Sequence, residues 1–393
     1  MDSFKAKDYH LYLERDFRLR WLRPDHLSEK LKKYIGLKDF LIQNEGYSVE
    51  GRDINSVRWG NGAVKILAWT QMHGNESTAT MAIIDLMNFL AASDHYKEHR
   101  DMLRSKVQIT IVPVLNPDGA EAFTRRNALN IDPNRDALAQ QTPEMQTLLK
   151  VVKELEPDWC FNLHDQRNIF SAGDTDKTAT ISFLAASADV PKTLTKTRKL
   201  SMSLIGEMYK AISEMLPGHV GRYTDEYYHR ALGEYFHKND IPCILMESGA
   251  YRNDPARDMA RKANFLGLIK AFEIIAKGEV KPEGINTYQA IPENSTNMLD
   301  LVVKDCELKL NGHSVKFDIG LLYEEKPNFE TKELDRYYLL NDLGDLQYQF
   351  GIDEVQGGLL TSPYDNLKIG SPANFTITLK NNTTLQFKNG LQQ

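Results

Sequence analysis

The sequence predicts an α/β protein, with a doubly wound sheet flanked by helices and a small all-β domain after it. Short apolar runs rich in Val, Ile and Leu recur through the first 280 residues, with longer amphipathic stretches between them. Strands that are buried on both faces have this near-continuous apolar character, and their alternation with helices is typical of a sheet covered on both sides. Beyond residue 280, short alternating segments separated by turns indicate β-hairpins.

The order of these segments also indicates where a site would lie. The apolar runs that we predict as strands are 64–70, 107–115, 159–163, 181–187 and 241–247. The amphipathic stretches that we predict as helices are 77–92, 143–155, 192–215 and 256–277. In open α/β sheets, ligands bind beyond the carboxyl ends of the strands. His73, His164 and Glu247 lie at such ends, and they are therefore candidate site residues.

The last part of the chain differs in character from the rest. The segment KPEGINTYQAIPEN (281–294) contains the Pro, Gly and Asn residues of a linker. Beyond it, we predict strands within 300–312, 313–325, 345–352 and 373–387. The sequence therefore predicts an α/β domain over residues 1–280 and a β-rich domain over residues 281–393.

Composition excludes several classes of protein. Apolar residues make up 41% and charged residues 26% of the chain, as in ordinary globular proteins. No run reaches the roughly 20 apolar residues that span a membrane, and no basic stripe with aromatic residues indicates nucleic-acid binding. The N-terminus lacks the apolar core of a signal peptide, which favours the cytoplasm and leaves a previously removed leader open. The distant Cys160, Cys243 and Cys306 indicate no disulfide framework.

A histidine and a glutamate, three residues apart, follow the first predicted strand. His73 and Glu76 belong to the segment QMHGNES, between that strand and a predicted helix. At this spacing both side chains can converge on one ion, and a catalytic zinc site has three protein ligands and one open position. His164, directly after another buried strand, is the candidate third ligand. Each residue alone has an ordinary structural explanation, but together they predict a zinc site.

Two further segments carry charged groups that such a site could use. The segment NPDGAEAFTRRNALNIDPNRD (116–136) concentrates arginines and acids in a turn-rich stretch. Arginine pairs with carboxylates through two parallel hydrogen bonds, and it can also polarise a carbonyl group. Glu247 ends an apolar strand, where a carboxylate without a partner is costly to bury. Beside a zinc ion, Glu247 would be the base that takes a proton from water.

The motifs HGNE, NPDG, DPNR, NLH and MESG occur in the order, and near the separations, of the zinc metallocarboxypeptidases of the carboxypeptidase A type. The chain resembles this family over roughly residues 45–277 and has a C-terminal β domain in addition. The resemblance implies a mixed sheet with flanking helices, one zinc ion and peptidase activity. The residues to which it assigns roles are the zinc ligands His73, Glu76 and His164, the general base Glu247, the carboxylate Asp132 that orients the first histidine, and the carboxylate-binding pair Asn134 and Arg135.

Two roles in the family can be assigned to more than one residue. The arginine that stabilises the oxyanion matches Arg125 in TRRN better than Arg126, which stays an alternative. The tyrosine that covers the bound substrate lies shortly before the catalytic glutamate, and Tyr223, Tyr227 and Tyr228 are candidates. Spacing favours Tyr228, while core packing is the simpler explanation for the other two.

The expected reaction is zinc-dependent hydrolysis of an amide bond next to a free C-terminal carboxylate. The expected partner is therefore a peptide or small amide with a free carboxylate, and neither nucleic acid nor a membrane. A cell-wall peptide amidase and an N-acyl amino acid deacylase are alternatives that use the same zinc site. An inactive peptide- or glycan-binding module is a third, and the complete ligand set together with Glu247 argues against it. The region that would line the side-chain pocket, 192–240, has no gap-free match, so no side-chain preference is predicted.

Overall fold

The computed structural model describes residues 4–17, 20–363 and 366–393. The strands, in chain order, are β1 (Phe40–Tyr47), β2 (Asp53–Trp59), β3 (Val64–Trp69), β4 (Val107–Val112), β5 (Trp159–Asp165), β6 (Ser171–Ala172), β7 (Ile181–Leu184), β8 (Val220–Arg222), β9 (Cys243–Ser248), β10 (Asn294–Ser295), β11 (Met298–Leu310), β12 (His313–Asn328), β13 (Glu333–Gly344), β14 (Phe350–Gln356), β15 (Gly358–Thr361), β16 (Phe375–Leu379), β17 (Thr384–Lys388) and β18 (Leu391–Gln392).

The α-helices are α1 (Pro24–Leu31), α2 (Thr78–Ala91), α3 (Lys97–Lys106), α4 (Pro117–Ala122), α5 (Pro143–Leu155), α6 (Lys196–Ser213), α7 (Leu232–Lys238), α8 (Asp258–Lys277) and α9 (Gly284–Ala290). Short 3-10 segments lie at Ala6–Leu11, Lys32–Tyr34 and Pro133–Arg135. In the described part of the chain, no helix has the length and apolar character needed to cross a membrane. The expected cytoplasmic location stays a prediction.

The chain divides into two compact units. The first unit comprises the described residues up to Gln166, together with Thr180–Gly249 and Ala256–Asn294. The second unit comprises Arg167–Ala179, Ala250–Pro255 and Ser295–Gln393. The C-terminal strands therefore share their unit with two segments from earlier in the chain.

The strands of the first unit form a mixed sheet in the order β1-β2-β4-β3-β5-β9-β7-β8. The central strands β4, β3, β5 and β9 are parallel to one another, while β1 and β2 pair antiparallel with their neighbours. Strand β7 is antiparallel to β9 and parallel to β8. Successive residues of β5 point to opposite faces. Cys160 belongs to the apolar cluster under α5 and α7, whereas the ring of Phe161 contacts Phe272 of α8 at 5.6 Å. Helices thus cover both faces, which confirms the predicted fold class.

The predicted strands and helices of this unit are confirmed, with ends that differ by a few residues. The hairpin of β1 and β2 was not predicted, because β1 (FLIQNEGY) is largely exposed and lacks a continuous apolar run. Its neighbour β2 alternates between buried and exposed positions at one end. The three cysteines are buried and unpaired, as expected.

A buried ion pair joins two helices on one face of the sheet. Arg261 of α8 donates to both carboxylate oxygens of Asp85 in α2, at 2.6 and 2.7 Å. Asp85 also accepts hydrogen bonds from the Tyr9 hydroxyl and the Glu14 backbone N–H, at 2.6 and 2.7 Å. Arg261 also donates hydrogen bonds to the backbone oxygens of Glu14 and Phe17. Both side chains are essentially inaccessible to solvent, so each charge depends on this network.

The interpretation of residues 281–294 as a linker is wrong for Gly284–Ala290, which form α9. This helix packs closely on α6. A Cβ at Gly284 would lie 2.2 Å from the Ser203 oxygen, and one at Gly206 would lie 2.1 Å from the Gly284 oxygen. The glycine that suggests a flexible connection therefore permits a close helix contact. The division between the units falls at Asn294, beyond the boundary predicted at residue 280.

The second unit contains a β-sheet in the order β13-β12-β11-β15-β16-β17-β18, with β14 also paired to β11. Its apolar core includes Ile319, Leu340 and Phe375. The buried Asp300 of β11 accepts hydrogen bonds from the Asn168 side chain at 2.7 Å and the Tyr323 N–H at 2.8 Å. Segment 167–179 is thereby attached to this sheet, which agrees with the expectation of a β-rich region.

We predict that replacing Arg261 by methionine lowers the free energy of unfolding by about 3–5 kcal/mol, because Asp85 then stays buried without its counter-ion. Urea unfolding followed by circular dichroism measures this loss. Changing Asp85 to leucine in the same protein should recover part of it, because no isolated buried charge remains. A matched control is Lys97→Met, which removes an exposed partner of Asp101 and should cost much less, because water screens this pair. Equal losses for the two single substitutions would contradict the prediction.

Candidate metal centre

Three parallel strands bring the candidate residues to one edge of the sheet. β3, β5 and β9 are adjacent, and their carboxyl ends therefore lie on the same side. His73 follows β3, while His164 and Glu247 lie near the ends of β5 and β9. His164 and Glu247 are register partners, so their side chains leave the same face of the sheet side by side.

The loop that carries the first histidine depends on a close backbone approach. A Cβ at Gly74 would lie 1.8 Å from the carbonyl carbon of Gly119, so glycine is required in the HGNE segment. Asn116 joins the two loops, since its side chain donates to the Met72 oxygen at 3.3 Å and accepts from the Gly119 N–H at 2.9 Å. The HGNE and NPDG motifs therefore form one backbone unit, which orients His73.

The three predicted ligands converge. The Nδ1 atom of His73 lies 2.8 Å from one carboxylate oxygen of Glu76, and Nδ1 of His164 lies 2.8 Å from the other. The two Nδ1 atoms are 3.2 Å apart. Each of the three residues offers one possible ligand atom, and these atoms all lie within 4.8 Å of one another. All three residues are buried.

Burial and mutual charge determine how these groups ionise. Burial by itself favours neutral Glu76, but His73 and His164 outweigh it and hold the pKa of Glu76 well below its usual range. Burial also opposes protonation of His73, yet the carboxylates of Glu76 and Asp132 raise its pKa. For His164, burial dominates and lowers the pKa. The site therefore favours an ionised carboxylate beside a neutral His164 imidazole.

The chemistry of the donor set fits zinc. Nε2 of His73 lies 3.0 Å from Asp132 Oδ1, and a proton on Nε2 leaves a lone pair on Nδ1. If His164 is neutral with its proton on Nε2, two nitrogen lone pairs and a carboxylate face one point. A divalent cation relieves that repulsion, and two histidines with one glutamate are a ligand set of catalytic zinc sites.

Arg125 and Asp132 lie directly against the ligands. Arg125 Nη1 donates to Glu76 at 3.1 Å, while its Nε and Nη2 lie 3.2 and 3.1 Å from Asp132 Oδ2. Asp132 also accepts a hydrogen bond from the Asn134 N–H at 2.9 Å. Burial raises the pKa of Asp132, but the hydrogen bond and the charge of His73 outweigh it, and the pKa is lowered. Arg126 is exposed and donates to the Asn130 oxygen instead. Of the two arginines, Arg125 is therefore the one beside the ligands.

Asn134, Arg135 and Tyr228 are held together. The Tyr228 ring lies over the Arg135 guanidinium, 4.4 Å from Cζ to the ring centroid. Asn134 Oδ1 accepts the Leu232 N–H at 3.0 Å, which ties the start of α7 to this pair. Arg135 Nη1 donates to the Asn134 oxygen at 2.8 Å, and among described residues no carboxylate lies within ion-pair distance of Arg135. Its remaining N–H groups are available to a carboxylate ligand.

The pKa values of Glu247 and Tyr223 are both affected by the charge of Glu76. Burial, together with the charges of Glu76 and Asp165, raises the pKa of Glu247 well above its usual range. Burial and the charges of Glu247 and Glu76 raise the pKa of Tyr223. Tyr228 is 48% exposed, whereas Tyr223 and Tyr227 are partly buried.

The sequence interpretation missed a set of supporting residues behind the ligands. The Asp165 N–H donates to Glu76 at 3.2 Å, and its carboxylate accepts from the Thr78 hydroxyl at 2.7 Å. Arg257 Nη1 lies 3.4 Å from Asp165 and donates to the Gln166 and Ser248 oxygens through its guanidinium. The acid next to His164 in NLHD was the available signal, but its partner is 92 residues away in the chain, as the numbering shows.

Comparison with known proteins agrees with this geometry. The family model described as zinc carboxypeptidase matches residues 40–228. Carboxypeptidase 2 of Trichophyton rubrum is 31% identical over 111 residues, which are 28% of this chain and 19% of that protein. Carboxypeptidase 2 of Trichophyton equinum is 30% identical over 111 residues, again 28% of this chain and 19% of that protein. The chain thus spans only about a fifth of the length of these curated relatives.

Solved structures show the same fold. A metallo-carboxypeptidase from Burkholderia cenocepacia is similar with a TM-score of 0.53 and 19% identity, over 65% of this chain and 69% of that one. A metallo-carboxypeptidase from Pseudomonas aeruginosa, in complex with (2-guanidinoethylmercapto)succinic acid, has a TM-score of 0.50 and 18% identity, over 66% and 70% of the two chains. The zinc carboxypeptidase model thus matches residues 40–228, and these solved structures share the fold over about two thirds of this chain.

Proposed function

We propose that this protein is a zinc-dependent carboxypeptidase, which hydrolyses the amide bond next to a free C-terminal carboxylate. The observation that carries the proposal is the convergence of His73, Glu76 and His164 beside Glu247. Two nitrogen ligands and one oxygen ligand leave a coordination position open, as hydrolytic zinc sites require. The three ligands and Glu247 come from three separate parts of the chain, so their convergence in the fold supports a shared role.

Zinc would be held by His73 Nδ1, His164 Nδ1 and the Glu76 carboxylate. When bound, it supplies a Lewis acid that polarises the scissile carbonyl and lowers the pKa of water. Asp132 supports this role, because its hydrogen bond to His73 Nε2 keeps the Nδ1 lone pair directed at the ligand group.

We assign proton transfer to Glu247 and oxyanion stabilisation to Arg125. Glu247 accepts a proton from the attacking water and passes it to the leaving amine, a role that suits a carboxyl group whose pKa is raised by burial. The charge of a bound cation lowers that pKa again, which favours the carboxylate form that accepts a proton. Arg125 is 45% exposed on its side chain, so its guanidinium can turn from Glu76 towards a developing negative charge.

Arg135 and Asn134 would bind the terminal carboxylate of the substrate, with Tyr228 covering it. A guanidinium group binds a carboxylate through two parallel hydrogen bonds, which sets both its distance and its orientation. Such positioning aligns the scissile carbonyl with the metal ligands and Glu247. The stacking of Tyr228 on Arg135 supports this assignment over Tyr223 and Tyr227.

The purified protein should contain about one zinc ion per chain. Changing His73 or His164 to alanine should remove the metal and the activity, because two ligands do not retain zinc in a site of this type. Inductively coupled plasma mass spectrometry measures the metal content. The control is His229→Ala, an exposed histidine outside the ligand group, which should keep its zinc. A full zinc complement in either ligand variant would disprove the assignment.

Replacing Glu247 with glutamine should leave zinc bound while turnover falls by about a thousandfold, because the amide keeps the shape but cannot accept the proton. Steady-state kinetics on a cleaved peptide, with metal analysis of the same sample, measures both quantities. Near-normal turnover in this variant would mean that another group is the base.

Amidating the C-terminus of a substrate should lower kcat/KM by about tenfold to a hundredfold, because a charge-assisted contact to Arg135 contributes roughly 1.5–3 kcal/mol. Arg135→Ala should cause a similar loss with free-acid peptides and a much smaller one with amides. The two changes should therefore be non-additive in kinetic assays. Arg126→Ala, which removes an exposed arginine held only by a backbone oxygen, is the matched control.

Other outcomes of this experiment distinguish the alternative functions. Equal cleavage of free-acid and amidated peptides would contradict a carboxypeptidase while leaving a zinc hydrolase intact. Cleavage of N-acyl amino acids without cleavage of peptides would indicate a deacylase, and selective cleavage of peptides with D-amino acids or diaminopimelate would indicate a cell-wall amidase. Binding without turnover would indicate a binding module.

A further inference from the structure

A buried acid lies behind the proposed carboxylate-binding pair. Glu234, in the first turn of α7, is 6% exposed. Among the described residues, the Glu234 carboxyl group accepts a hydrogen bond from the Tyr228 N–H at 3.4 Å, in addition to its own backbone. The sequence interpretation assigned no role to Glu234, and the proposed reaction does not use it. A buried carboxyl group with so weak a set of partners requires an explanation.

Several contacts connect the segment 228–234 to Arg135. The Tyr228 ring lies 4.4 Å from the Arg135 guanidinium, and Leu232 donates its N–H to Asn134. Arg230 Nε donates to the Arg135 oxygen at 3.3 Å. Glu234 therefore belongs to the same cluster as the carboxylate-binding pair, and no ion pair within 4.0 Å joins it to Arg135 among the described residues. Its charge acts on Arg135 through space, without the geometry of a salt bridge.

We propose that Glu234 is a positioning residue whose negative charge competes with the terminal carboxylate of the substrate for Arg135, so that substrate binding takes up a proton. This inference rests on the proposed function, because it takes Arg135 as the group that binds the carboxylate. A carboxylate bound to Arg135 places a second negative charge near Glu234. Two neighbouring carboxyl groups do not both ionise readily, so the bound ligand favours protonated Glu234.

The ionisation of Glu234 supports this direction. Burial raises the pKa of Glu234 to about 7, against the smaller effect of the Arg135 charge. A carboxylate bound to Arg135 raises the pKa of Glu234 further. At a pH between the pKa of the free protein and that of the complex, Glu234 is therefore protonated in the complex and ionised in the free protein. The affinity for free-acid ligands therefore falls as the pH rises above about 7, and it levels off beyond the pKa of the complex.

Other titratable and charged groups lie around Glu234. Cys243 of β9 has its pKa raised by burial and by Glu234, and stays neutral in this range. His237 of α7 has its pKa lowered by burial to about 4, and is also neutral. His229 lies next to the Tyr228 ring and is exposed. The guanidinium groups in contact with this segment are those of Arg135 and Arg230.

The test measures proton uptake by isothermal titration calorimetry in buffers of different ionisation enthalpy. The protein is zinc-loaded Glu247→Gln, and the probes are N-acetyl dipeptides ending in Leu, Lys or Glu, each as free acid and as amide. We expect free acids to bind with net proton uptake near neutral pH. If the bound ligand raises the pKa of Glu234 by about one unit, the Kd of free acids should rise about tenfold with increasing pH. Amides should show neither effect.

Adding Glu234→Gln should abolish proton uptake and make the affinity independent of pH. Because glutamine resembles the protonated acid, this variant should bind free acids about tenfold more tightly than its parent at alkaline pH. Structural damage would instead weaken binding at every pH. Glu234→Asp keeps a titrating acid and should keep proton uptake, which provides a second variant if the glutamine variant does not fold.

Two matched variants exclude other sources of the proton. Glu144→Gln changes another buried acid in the first turn of a helix, and should leave the proton uptake intact. His229→Gln should leave it intact as well. Binding of free acids by the parent without proton uptake, or loss of uptake in His229→Gln but not in Glu234→Gln, would overturn the inference alone. If no free acid bound at all, both this inference and the carboxypeptidase proposal would fail.

Discussion

The parallel pairing of β3, β5 and β9 is the constraint on which the candidate site depends. Parallel strands place all their carboxyl ends at one edge, which is where ligands bind in open α/β sheets. Polar side chains can therefore be directed towards a ligand there without disturbing the apolar core. The register that joins His164 to Glu247 aligns a proposed zinc ligand with a proposed base.

Two clusters of buried charge in the first unit show how the same physics leads to different outcomes. Asp85 and Arg261 neutralise each other through two short hydrogen bonds, and the remaining capacity of both groups is satisfied by backbone and hydroxyl partners. In the ligand group, two imidazoles and a carboxylate direct their lone pairs at one another. The first arrangement is complete without a ligand and stabilises the fold. The second is relieved by a cation, which is why it suits a metal site.

The segment that leads into α7 contacts the residues that we propose to bind substrate. Tyr228 covers Arg135, while Leu232 is held by Asn134, so a shift of this segment would move the proposed carboxylate-binding pair and its cover together. In our proposal, Glu234 adds a charge whose ionisation would respond to what Arg135 binds. Recognition of the terminal carboxylate would thus depend on an anion that the chain itself supplies, and the balance between the two anions would depend on pH.

Much of the fold and of the metal site could be predicted from the sequence. Continuous apolar runs and helical periodicity identify the central strands and the long helices, because burial on two faces leaves a strong local pattern. His73 and Glu76 are local too, since they lie three positions apart in a single loop. The exposed strand β1 and the glycine-containing α9 lack such a pattern, and their structure depends on neighbours that are distant in the sequence.

The tertiary structure decided what sequence spacing left open. Arg125 and Arg126 are adjacent and chemically identical, and only the fold brings Arg125 against Glu76 and Asp132. The stacking of Tyr228 on Arg135 and the burial of Glu234 behind them are equally invisible in the sequence. Local periodicity reports which side of an element is buried. Which charges meet across the interior depends on the packing of whole elements, and that packing determines the electrostatics of the site.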